Sequence, residues 1–461
     1  MNRLIVAAIC CFMTFILSTV AYAISAQWDL DPLSGDWNTA ANWTPMTIPN
    51  GPADIATFAL SNTTNVSISA NTEVNSITFT AAATNPYTIT ASAPFTLVIS
   101  GTGITNNSGS TQHFITAVGA NGEFGLIVFS DSATAGTSTM FTNNGGTVSG
   151  AAGGSTIFHD SSTAGSAILV ANGGSNGGAG GQIFFDEKST GGTSRVELFG
   201  NGSLEISAHA APGVTIGSIE GDGDAFLGAN NLTIGGNNLG TTFSGVIQGA
   251  AGSLTKIGTG TLDLTGANTY TGNTNVNRGV LQVDGSITSN TFVTHRGTLA
   301  GTGTVDGNVV NNDFGTVRPG GVLGAPGVLT VVHNYTQTQY ATLIIQIAGA
   351  SPDQFSVLNV LGNANLTGFL DPMLLNGFVP TIGQTFTFLN YASLTGEFSH
   401  IKHRIFDNGL LQWSVIYEPN HAILTVESRT IVPDQSSTFL LLTLGLLSLV
   451  TYRRQLLRGQ P

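Results

Sequence analysis

The sequence predicts an all-β chain, wound as one long solenoid of short parallel strands with a cap at each end and a single hydrophobic helix at the C-terminus. Three observations predict it. Glycine is abundant, 60 of 461 residues, while charged residues make up only 8% and apolar ones 41%; such a chain can bury a core if its turns are many and tight. Short period-2 runs such as Val74-Asn75-Ser76-Ile77-Thr78-Phe79 recur between Gly and Asn corners, and no long 3.6-residue period lies between the termini. Three stretches between residues 129 and 202 also repeat one another.

Residues 1–26 read as a secretory signal peptide. Arg3 supplies the positive start, Leu4 to Leu17 the apolar core, and Ala21-Tyr22-Ala23 the small residues at a cleavage site, with cleavage after Ala26 as the alternative. Both cysteines, Cys10 and Cys11, lie in this leader. The mature chain is therefore expected to lack disulfide and thiol chemistry, and to be stabilised by stacking. Residues 27–110 are expected to form an N-terminal cap and the first coils. Here Trp37 and Trp43 can cover the first open coil, as a solenoid end requires.

Residues 111–326 are expected to be β-helix coils. Phe129-Ser130-Asp131, Phe158-His159-Asp160 and Phe184-Phe185-Asp186 open three aligned repeats, and their aspartates recur after 29 and 26 residues. That spacing suits one coil. It predicts Phe129, Phe158 and Phe184 at equivalent positions in neighbouring coils, with Asn-Gly and Gly-Gly pairs at the corners. The run Gly173 to Gly181 reads as a flexible turn, because no helix follows it.

Within 254–285, Leu254-Thr255-Lys256-Ile257-Gly258-Thr259-Gly260-Thr261-Leu262-Asp263-Leu264-Thr265-Gly266-Ala267-Asn268-Thr269-Tyr270-Thr271-Gly272 leads to Thr274-Asn275-Val276, Gly279-Val280-Leu281 and Val283. This stretch resembles the autotransporter-associated β-strand repeat. The resemblance implies a right-handed parallel β-helix like an autotransporter passenger. Trp37 to Trp43 with Pro49, Asn50 and Asp54 resembles the entry module of such proteins. Residues 327–430, with Thr385-Phe386-Thr387-Phe388-Leu389, resemble their late part, expected here as a C-terminal cap. About 35 residues follow Val426. A translocator barrel needs at least eight strands of about 9–11 residues, so self-secretion is not expected.

Residues 431–461 read as a sorting tail. Val432-Pro433-Asp434 is followed by an apolar helix expected over 438–452, then by Arg453 and Arg454. This order resembles a PEP-CTERM-type tail of the Val-Pro-Asp variety, which implies an exosortase-like processing enzyme as partner. As a helix, 438–452 would be about 22 Å long, short for a bilayer core of roughly 30 Å. That suits transient inner-membrane anchoring, with both arginines held on the cytoplasmic side.

The net charge of -13 and the lack of Lys or Arg between Arg3 and Lys188 exclude binding of a nucleic-acid backbone by charge. The acids are read as solubilising, with scattered calcium sites as the alternative and no other cofactor. Asp222 and Asp224, like Asp29 and Asp31, read as turn and terminal residues. His400 and His403 read as a pair without a local acidic partner. No catalytic residue is assigned. The expected function is a structural or adhesive protein of the cell surface or extracellular matrix, with extracellular polysaccharide as an expected contact. The alternative is a secreted β-helix protein that degrades or binds polysaccharide. That alternative requires three or more acidic and basic side chains converging on one groove.

Overall fold

The computed structural model describes residues 24–321, 324–429 and 435–456. The signal peptide assigned to the N-terminus falls almost wholly outside them. Among the described residues the chain is all-β and winds as a parallel β-helix. Alternating residues face inward and are fully buried, as in Gly51–Phe58, where Asp54, Ala56 and Phe58 point in. This period-2 burial builds one continuous core running from Ala26 to Val426.

Three walls surround that core. The first begins with an 11-stranded sheet that ends at Val246–Gln248, and a 9-stranded sheet starting at Ala267–Asn268 carries it on. The Asn268 side chain joins the two, accepting from the Ile247 amide at 2.9 Å. The second wall is a 15-stranded sheet from Asn65–Ile68 to His400–Ile401. The third is a 9-stranded sheet that begins only at Gly213–Ile216. Earlier coils close this side with turns linked by single bridges, Gly103 to Thr134 to Thr163 to Thr190.

Glycine makes these turns stack. A Cβ at Gly153 would sit 2.1 Å from the carbonyl oxygen of Gly180, so a side chain there would force the coils apart. The Gly173 to Gly181 run is thereby ordered against the coil before it. Gly146 donates to the Ala179 carbonyl, and Ser175 donates back to the Gly146 carbonyl, at 2.7 and 2.8 Å. The flexible turn expected from the sequence is a stacked one, because its backbone groups pair between coils.

The three aligned repeats are successive coils, with one correction. Phe129 pairs with Phe158, and Phe158 with Phe185 rather than Phe184. The rings of Phe129, Phe158 and Phe185 stack with centroids 4.9 Å apart and planes tilted by 9° and 10°. Phe184 faces outward beside Ile157. The corner moves with them: Asp131, Asp160 and Glu187 share a positive φ of 53–55°. Adjacent phenylalanines leave the sequence unable to say which one carries the inward phase.

Antiparallel strands close the stack at both ends. Ser25–Trp28 pairs with Trp43–Thr44, and Trp28, Trp37, Trp43 and Phe58 form one buried ring cluster with centroids 4.9–6.1 Å apart. The indole nitrogens of Trp37 and Trp43 donate to the carbonyls of Pro49 and Trp37. At the other end Thr385–Asn390, His421–Ser428 and Leu411–Tyr417 pair antiparallel. Parallel coils run up to that point, through Val328–Val331, Tyr335–Gln337 and Thr342–Ile347. Two single 3-10 turns, Ala40–Asn42 and Asp407–Gly409, interrupt the strand-and-turn pattern expected between the ends. A helix follows at Gln435–Leu456.

Candidate functional site

The 254–285 stretch occupies consecutive coils. Ser253–Lys256 pairs with Thr274–Val276, and Thr261–Leu264 with Val280–Val283. Leu254, Leu262, Leu264, Val276, Leu281 and Val283 are buried. Lys256 also points inward. Its ammonium donates to the Ile257 carbonyl at 2.5 Å and, at longer range, to those of Gly258 and Arg278. Burial lowers its pKa to about 8.

Outward positions of the 15-stranded sheet build a groove that gathers one cation and three carboxylates. In Arg195–Leu198 the alternation buries Val196 and Leu198 and turns Arg195 and Glu197 out. Parallel register sets Glu197 beside Glu220, and Thr242 beside Asp263. Small residues, Gly221, Gly240 and Thr242, leave an open space of about 610 Å³ between Phe199 and Gln282. The Arg195 Nε lies 3.0 Å from Glu197 Oε1 and donates a shorter bond to Glu220 Oε1. Its pKa is raised, chiefly by that bond. Burial raises the Glu197 carboxyl, Arg195 opposes this, and Glu220 adds to it. Burial and then the neighbouring Asp284 push Asp263 up to about 6. The Asp263 Oδ1 is sealed from water without a hydrogen-bond partner.

The sequence reading did not single out these four charged residues. Arg195, Glu197 and Asp263 sit at outward places in period-2 runs, and register sets Glu220 beside Glu197, but their convergence needs coil lengths that vary along the stack. The acids it did weigh are held elsewhere. Asp222 accepts from the Gly200 amide at 2.8 Å, and Asp29 from the Thr44 hydroxyl at 2.5 Å. His403 gains an acidic partner that was not expected. Its Nδ1 is 2.7 Å from Asp371 Oδ1, because Phe369–Leu374 pairs with His400–Ile401 across coils. Among the described residues no group of three His, Cys, Asp or Glu side chains could hold a metal.

Of the tail residues, Val432, Pro433 and Asp434 lie outside the described residues. Arg453 and Arg454 are exposed in the last turn of the C-terminal helix. Among the described residues no helix is long and apolar enough to cross a membrane.

Residues 254–283 match the family model of the Passenger-associated-transport-repeat. The chain carries an autotransporter passenger-type repeat. It is 50% identical over 78 residues to an extracellular serine protease of Serratia marcescens, across 17% of this chain and 7% of the protease. It is 59% identical over 54 residues to the adhesin BmaC autotransporter of Brucella suis biovar 1 (strain 1330), across 11% of this chain and 2% of the adhesin. The chain thus spans less than a tenth of the length of the curated relatives it matches. The likeness is one of passenger-type repeats.

Proposed function

We propose that this chain is an exported structural or adhesive β-helix protein of the cell surface or extracellular matrix, sorted through its C-terminal tail by an exosortase-like enzyme. The observation that carries the reading is the uninterrupted parallel stack, with the passenger-type repeat inside it. A stiff rod whose coils depend on their neighbours suits display outside the cell, where no thiol or cofactor is needed to hold it. The relatives, an adhesin and extracellular proteases, support the same location. Val432-Pro433-Asp434 and the arginines Arg453 and Arg454 would serve as sorting motif and orientation signal. The test is fractionation with surface labelling of cells that make the full chain. The reading expects labelled protein at the surface or in the matrix, and protein confined to the cytoplasm overturns it.

One observation favours a second reading, a protein that binds or degrades polysaccharide. The groove brings Arg195, Glu197, Glu220 and Asp263 together, the convergence that this reading requires. A carboxyl group that titrates near 6 can serve as a proton donor at neutral pH. Release of new reducing ends from neutral or acidic polysaccharide, lost in Asp263→Asn, would establish degradation.

A further inference from the structure

The groove offers two surfaces that suit sugar rings. Phe199 presents a ring that is 41% exposed, beside the carboxylates of Glu197 and Glu220. The apolar face of a sugar packs on an aromatic ring, and carboxylates accept charge-assisted bonds from hydroxyl or ammonium donors. The volume of about 610 Å³ lies within the roughly 300–1,000 Å³ of small-molecule sites.

The charges choose among sugars. Arg195 is the one cation lining the groove, and Glu197 and Glu220 already engage it. Asp263 adds a third carboxylate to the lining. Asp284 stands just beyond, accepting from Gln282 Nε2 at 2.6 Å. The lining sets one cation against three carboxylates and is negative in sum, so it repels an acidic chain and favours a neutral or cationic one.

We propose that this groove binds a short stretch of a polysaccharide without acidic groups, held most tightly when the sugars carry free amino groups, as in a glucosamine polymer. Phe199 would carry a ring face, and the carboxylates of Glu197, Glu220 and Asp263 would accept from amino and hydroxyl groups. This rests on the polysaccharide-contact reading above and gives it a place and a ligand class.

The test is calorimetry on the full chain with a chitosan hexamer, cellohexaose and a hexagalacturonate. The chitosan hexamer is expected to bind about tenfold more tightly than cellohexaose, with no saturable binding of the hexagalacturonate. Phe199→Ala removes the exposed ring, and Thr242→Trp fills the groove from an exposed floor position. Each is expected to weaken chitosan binding by about tenfold or more at unchanged melting temperature. Should Thr242→Trp fail to fold, Phe199→Ala still decides the point. Equal or tighter binding of the hexagalacturonate, no binding of any hexamer, or full binding by Phe199→Ala would each overturn the proposal. Surface labelling is scored separately. Normal display without hexamer binding removes the groove alone, whereas absence from the surface removes the surface reading.

Discussion

Asp263 and Phe158 show how a solenoid assigns opposite tasks to residues on adjacent faces. Asp263 projects outward, with one carboxyl oxygen buried and unpartnered, and its pKa rises to about 6. The unfolded value is about 3.9. The folded state therefore binds more protons between those values. Stability contributed by the neutral acid is full below about pH 4 and is lost as pH rises through about 6. Asp263→Asn is expected to remove that slope and to stabilise the chain at pH 7 by about 1 kcal/mol, a figure reduced because the groove is open to water. Denaturant midpoints between pH 4 and 8 would show it; parallel curves for both proteins would refute it. Phe158 projects inward between Phe129 and Phe185. Its replacement by Ala should cost about 3–5 kcal/mol, while outward Phe184→Ala should cost about 1 kcal/mol or less. Equal losses in the two variants would contradict the assigned phase. The repeat was legible at this scale. The phase of its third copy was not, because Phe184 and Phe185 satisfy the pattern equally well.

At the scale of elements, the corners do as much as the strands. Asn290, Asn308, Asn334 and Asn363 stack at one corner of four successive coils. The Asn308 amide and Nδ2 each donate to Asn290 Oδ1 at 2.9 Å. The Asn334 amide donates to Asn308 Oδ1 at 3.2 Å, and the Asn363 amide to Asn334 Oδ1 at 2.9 Å. The side chains of Asn290, Asn308 and Asn334 each satisfy a backbone donor that the turn leaves free, as a cap does for a helix. Asn308→Ala breaks the ladder in its middle and should cost about 1–2 kcal/mol, read from urea unfolding; an unchanged midpoint would deny the ladder a role. The sequence announced corners through Asn and Gly, but not the ladder. Coil length changes along the stack, so equal spacing cannot reveal which asparagines meet.

Across the whole molecule, each coil exposes a hydrogen-bonding edge that the next one covers, and the two ends must be closed by other means. The N-terminal tryptophans do this with a dry ring cluster, and the C-terminal end with antiparallel strands. Trp43→Ala should therefore cost about 3–5 kcal/mol and promote end-to-end association, visible in light scattering; a stable monomer would speak against the cap. The tail follows the last strand of this stack, His421–Ser428. Truncation after Glu427 is expected to leave the unfolding transition in place while abolishing normal surface delivery. Identical fractionation of truncated and full-length protein would remove the tail from the sorting proposal.

The sequence by itself determined the class of fold, the parallel coils and the passenger-type likeness of 254–283, whereas the positive-φ corners of the aligned repeats fall at Asp131, Asp160 and Glu187 and at Gly136, Gly165 and Gly192 rather than at the expected Asn-Gly pairs. The features it determined follow from order along the chain: alternation fixes which face a residue takes. Only the tertiary structure decided which outward residues become neighbours. Arg195, Glu197, Glu220 and Asp263 come from three different strands. Their meeting depends on the lengths of the intervening coils and on the inter-strand register, which packing of the buried face sets.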